Sequence, residues 1–108
     1  MREQFAHFVK VAQKIIPASS EPLMNVFCTY ENGIWSLVIF LRQKHRPDAY
    51  FAAGEKMVFV SPGAVDMAGV IITPRLIDFN RLECAAIRGI YQEVSLPEKT
   101  MNIIVNEL

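Results

Sequence analysis

The dipeptide Asn32-Gly33 limits this chain more than any other feature. It lies between two runs of strand-forming residues, Met24 to Glu31 and Ile34 to Leu41. A two-residue connection of this kind needs positive φ at both positions, and Asn and Gly adopt it most readily. Closing a hairpin on that pair fixes the register: Tyr30 faces Trp35, Cys28 faces Leu37, Val26 faces Ile39 and Met24 faces Leu41. This face is apolar throughout and is the expected core face. The other face, with Asn25, Phe27, Thr29, Ser36, Val38 and Phe40, is too apolar to be simply solvated. A helix, a ligand or another chain is expected to cover it.

Around the hairpin the periodicities suggest an antiparallel sheet with helices at its ends. Residues 2 to 16 place Phe5, Phe8, Val9, Ala12 and Ile16 on one helical face. Pro17 is expected to stop that helix, with residues 18 to 22 as a linker. Residues 56 to 60 (KMVFV) and 65 to 73 (VDMAGVIIT) read as two further strands, with Asp66 inside the second and Gly69 at a close approach or bulge. Asn80 and Glu83 suggest a helix start, with Leu82, Ala86, Ile90 and Val94 on one face. Ser95 and Glu98 suggest a capping box for a terminal helix carrying Met101, Ile104 and Val105. The order argues for an α+β fold: an antiparallel sheet with an N-terminal helix and two C-terminal helices.

A length of 108 residues suits a single domain spanning 1–108. With 52% hydrophobic and 20% charged residues the chain is globular in composition. Eleven basic residues balance eleven acidic ones, so net charge gives no reason to expect nucleic-acid binding. No apolar run is long enough to span a membrane. Cys28 and Cys84 have no C-x-x-C spacing and no secretory leader precedes them. They read as free buried thiols in a reducing compartment, and the expected location is cytoplasmic.

The chemistry-bearing residues are few. The two histidines, His7 and His45, lie far apart in sequence, and two cysteines at unrelated spacings make no metal signature. There is no phosphate-binding glycine loop. What stands out is LRQKHRP, residues 41 to 47, where Arg42, Lys44, His45 and Arg46 crowd the end of a strand. Such a cluster can grip phosphate oxygens, Arg through its fork and Lys as a point charge. Ser61 and the backbone near Gly63 could join an anion pocket folded alongside. The plainer alternative is a solvated strand end. The candidate phosphate- or nucleotide-binding set is therefore Arg42, Lys44, His45, Arg46 and Ser61. No catalytic residue, metal ligand or cofactor is assigned. A small enzyme built on His45 and Asp66 is the least favoured reading, because no orienting or oxyanion group accompanies them.

Three stretches, NVFCTYENGIWSLVIFLRQKHRP, SPGAVDMAGVIIT and DFNRLECAAIRGIYQEVSLPE, carry a resemblance. It is strongest in the run ending at Gly69, in Asp78-Phe79, and in Glu93-Val94-Ser95-Leu96. Together they resemble the C-terminal part of the GDP-hexose phosphorylases and their uncharacterised bacterial relatives, in the histidine-triad and galactose-1-phosphate uridylyltransferase superfamily. The resemblance covers Glu21 to the end. It implies a histidine-triad-like sheet and a place near nucleotide or nucleotide-sugar phosphates. It does not bring the catalysis, because that superfamily attacks phosphorus with a histidine of an H-x-H segment and this chain has none. The implied role is a non-catalytic C-terminal domain or stand-alone relative of such an enzyme, whose partner is an N-terminal catalytic half or a second copy. The alternative is a nucleotide- or protein-binding module acting as a homodimer.

Overall fold

A computed structural model describes residues 1–16 and 21–108. The expected stop at Pro17 and most of the linker after it fall outside the described residues. Along the chain the elements are α1 (Arg2–Ile15), β1 (Met24–Glu31), β2 (Ile34–Leu41), α2 (Ala64–Met67), α3 (Leu76–Arg81), α4 (Cys84–Val94) and α5 (Glu98–Glu107). Short 3-10 turns occupy Asp48–Phe51 and Gly54–Lys56. The α+β class holds in coarse form: an N-terminal helix, a two-stranded antiparallel hairpin and several C-terminal helices. By contact the chain divides into two units, Met1–Arg42 with Leu96–Leu108, and Gln43–Ser95.

In the first unit the hairpin has the register that Asn32-Gly33 dictates, from Glu31 opposite Ile34 to Met24 opposite Leu41. Asn32 and Gly33 have φ of 51° and 77°, the left-handed values such a turn requires. Gly33→Ala should cost about 1 kcal/mol, since a Cβ penalises that backbone even with open space around it. Chemical denaturation of the variant would measure it.

The hairpin is anchored at its base. Leu41, Val11, Ala12 and Ile104 form a buried cluster, with Met24, Ile39, Phe8 and Met101 packed against it. Thus α1 and α5 supply the apolar surface that two strands alone cannot provide. Phe5 and Phe8 of α1 line an open groove of about 220 Å³ with Trp35, Leu37 and Ile39 of β2. The first helix therefore covers the expected core face rather than the mixed one. Towards the turn this cover runs out: Tyr30 and Trp35 meet at a tilt of 40° with centroids 4.8 Å apart, yet both remain more than half exposed.

The second unit departs from the expected sheet. Neither 56–60 nor 65–73 is a strand. Residues 57 to 60 take no regular structure, and side chains satisfy part of their backbone. Phe59 N–H donates to Asp78 Oδ2 at 3.1 Å, and Met57 C=O accepts from Arg75 Nη2 at 3.1 Å and from Arg81 Nη2 at 3.2 Å. Two arginines and an aspartate thus do for this segment what a neighbouring strand would do.

The VDMAGVIIT run begins instead as the short helix α2. Asp66 Oδ2 accepts the Gly63 N–H at 2.9 Å, the reach-back contact of a helix start. Gly69, at φ 112°, ends the helix. Its N–H donates to Asp66 C=O, and that of Val70 to Val65 C=O, the bond pair of a Schellman motif. Two helix starts also shift. Asn80 lies inside α3, and α4 begins at Cys84 after Glu83. Pro97, not Ser95, precedes α5, so the expected capping box is not formed. Ile90 and Val94 are buried as the helical spacing required, whereas Ala86 is exposed.

Candidate functional site

The segment after β2 places the five candidate residues in different settings. Arg42 belongs to the first unit. It is 3% exposed, and its Nη1 donates to Asn25 Oδ1 at 2.7 Å across the base of the hairpin. Its burial and this bond place it at the base of the hairpin. The other four lie in the second unit.

Lys44 sits between two carboxylates. Its Nζ is 2.8 Å from Asp48 Oδ1 and 3.5 Å from Glu93 Oε2. The Asp48 bond, with help from Glu93, raises the Lys44 pKa against a smaller opposing effect of burial. Glu93 also accepts the Asp48 N–H, at 2.8 Å to Oε2, so this group ties the loop to the end of α4. Gln43 adds to the tie, its side chain donating to Glu93 C=O at 2.8 Å and its N–H to Val94 C=O at 2.9 Å. Lys44 therefore brings little unbalanced charge to an anion.

Arg46 and Ser61 are brought together. Arg46 Nε donates to Ser61 Oγ at 3.1 Å. The guanidinium carbon lies 4.5 Å from the centroid of the Tyr50 ring. Tyr50 in turn stacks on Phe59 at 5.1 Å and meets Phe51 edge-on at 5.0 Å. The 3-10 turn Asp48–Phe51 presents this ring, following the extended Pro47. Both Arg46 and Ser61 are exposed, as is His45 between Lys44 and Arg46.

Asp66 is no strand carboxylate. It is 5% exposed, and its second oxygen accepts the Ile72 N–H at 2.9 Å. With both oxygens engaged by backbone amides, Asp66 holds the loop 63–72. Tyr91 O–H donates to the Asp66 carbonyl. Burial, and then the Asp66 charge, raises the Tyr91 pKa.

Sequence reasoning missed Tyr50, Phe59 and Glu93. Tyr50 follows Arg46 by four residues, as Asp48 follows Lys44, but outside a helix that spacing is no signal. Glu93 stood out only as part of the resembling stretch Glu93-Val94-Ser95-Leu96, and nothing pointed to Phe59. Among the described residues no group of three or more His, Cys, Asp or Glu side chains could hold a metal ion. Cys28 and Cys84 are free thiols, but both are exposed rather than buried as expected. No described helix is long and apolar enough to cross a membrane.

No family model, curated protein or solved structure matches this chain.

Proposed function

We propose that this chain is a non-catalytic domain related to the nucleotide-sugar phosphorylases and nucleotidyltransferases. In this reading it completes a histidine-triad-like sheet with another polypeptide and borders nucleotide phosphates without attacking them. The observation that carries the reading is the unfinished hairpin. Among the described residues no third strand pairs with either edge, and only the end of β2 is met from outside, where Leu41 C=O accepts the Leu96 N–H at 3.0 Å. In a two-residue hairpin the residues flanking the turn bond to each other, so the backbone groups of Trp35, Leu37 and Ile39 point away from β1. β2 has no charged residue and no proline, the usual protections of a free edge. Ile34, Trp35 and Val38 are 67%, 55% and 51% exposed along it.

The absence of an H-x-H segment supports the non-catalytic part, since the sequence holds only His7 and His45. Nucleotidyl transfer through histidine needs an imidazole nucleophile placed by a second group. The partner is a nucleophile-bearing half, and the location is cytoplasmic. The uncharged β2 edge favours one other reading, a homodimer in which two copies pair their β2 strands across a two-fold axis.

Two measurements on the purified chain test the proposal. With GDP-hexose and phosphate, no hexose 1-phosphate should form; turnover removed by His45→Ala would overturn the non-catalytic assignment. Sedimentation should show association that rises with concentration and is weakened at least tenfold by Trp35→Lys. A monomer at millimolar concentration would overturn the homodimer reading.

A further inference from the structure

We infer that Arg46 and Ser61 form a single oxyanion fork that takes a terminal phosphoryl group, and that the rest of the basic cluster does not. This rests on the proposed phosphate-bordering role and names the residues and ligand chemistry that carry it. The arginines of the second unit differ in how they are held. Arg75 is bonded to the Asp78 carboxylate at 2.8 and 3.0 Å and to Met57 C=O. Arg81 donates to Glu55 C=O and Met57 C=O, with Asp78 at 3.8 Å. Arg88 is an exposed residue of α4.

Arg46 is positioned by a ring and a hydroxyl, with no carboxylate on its guanidinium. Among the described residues its Nη1 and Nη2 donate to nothing. The planar group is thus oriented but not neutralised, which lowers the ordering cost of binding and leaves two parallel N–H donors to offer.

Ser61 makes the site selective. Its Oγ accepts from Arg46 Nε, so its own proton is available for another acceptor. A carboxylate has two in-plane oxygens, which the guanidinium fork alone can satisfy. A phosphoryl group has a third oxygen, and the Ser61 hydroxyl beside the fork is a further donor to offer it. Tyr50 cannot stack a base, since Arg46 and Phe59 flank it, whereas Phe51 is 71% exposed beside it. A nucleotide would add contact through Phe51; free phosphate would not.

The test is an NMR titration of the full chain with inorganic phosphate, GDP and acetate, following the Arg46 Nε–H and the Ser61 and Phe51 amides. Phosphate and GDP should both shift Arg46 and Ser61, only GDP should shift Phe51, and acetate should bind more weakly than phosphate. Arg46→Gln should weaken phosphate binding about tenfold, the scale of one charge-assisted bond. Arg46→Lys should not restore it fully, and Tyr50→Phe should retain it. Lys56→Gln, which removes the same charge from an exposed site, should change it less than twofold.

Equal losses from Arg46→Gln and Lys56→Gln would reduce the site to unspecific charge and overturn the inference. Phosphate-induced shifts at Lys44 and His45 that survive Arg46→Gln would overturn the fork but leave the phosphate-bordering role intact. No response to either phosphate ligand would overturn both.

Discussion

Replacing Asp78 by Ala should destabilise the second unit by about 3 kcal/mol, the largest single-residue loss expected in that part of the chain. Asp78 is 1% exposed and organises three segments at once. It receives Arg75 through both oxygens, accepts the Phe59 N–H, and stands 3.8 Å from Arg81. Without it the Phe59 amide loses its acceptor, and two guanidiniums are left beside each other near Met57 C=O. Asp78→Asn should lose less, because an amide keeps one acceptor oxygen. Hydrogen exchange at Phe59 and Val60, compared between variants, would measure both losses. Unchanged protection in Asp78→Ala would refute the role.

The same contacts set an acid limit. The bonded Arg75 guanidinium holds the Asp78 carboxyl below its ordinary range, with Phe59 N–H and Arg81 adding to the effect against opposing burial. The folded group therefore keeps its charge to lower pH than the unfolded one. Its stabilisation is complete above the unfolded carboxyl's pKa, near 4, and is lost as pH falls from there through the lowered folded value. Asp78→Asn should flatten that part of the stability profile.

Ile104→Ala should have an effect of similar size on the first unit, about 3 kcal/mol. Ile104 is fully buried against Val11, Ala12 and Leu41, where α1, α5 and the base of the hairpin meet. Two strands do not hold together without such support, so the hairpin should lose its order along with the helices. The neighbouring Val105, 56% exposed, is the control: Val105→Ala should change stability by less than about 0.5 kcal/mol. Urea denaturation followed by the fluorescence of Trp35, the single tryptophan, would report both. Equal effects from the two substitutions would refute the packing described.

What was legible in the sequence follows from how local the cause is. Asn32-Gly33 determines its own backbone, and the whole hairpin register follows from it. α1 was legible because its apolar spacing continues for several turns. The runs at 56–60 and 65–73 were not, because apolar content cannot tell a strand from an extended segment held by distant side chains. KMVFV is held by Asp78, Arg75 and Arg81, some twenty residues downstream. The β-branched residues of VDMAGVIIT suggested a strand, whereas the bond from Gly63 N–H to Asp66 that opens α2 is visible only in the fold.

The candidate site divides along the same line. Lys44 with Asp48 and Arg46 with Tyr50 are neighbours in sequence. The bond between Arg46 and Ser61, and the closure of the Lys44 group by Glu93, depend on tertiary packing. Arg42 precedes the other basic residues in the chain but is buried at the base of the hairpin. Its partner Asn25 lies on the adjacent strand.

The most direct test of the non-catalytic assignment is the intact mass of the chain after incubation with GDP-hexose and rapid quenching. The expected result is the unmodified 12.2 kDa chain, with no nucleotidyl group attached. A gain of one guanylyl group, mapped to His45 or His7, would contradict the account.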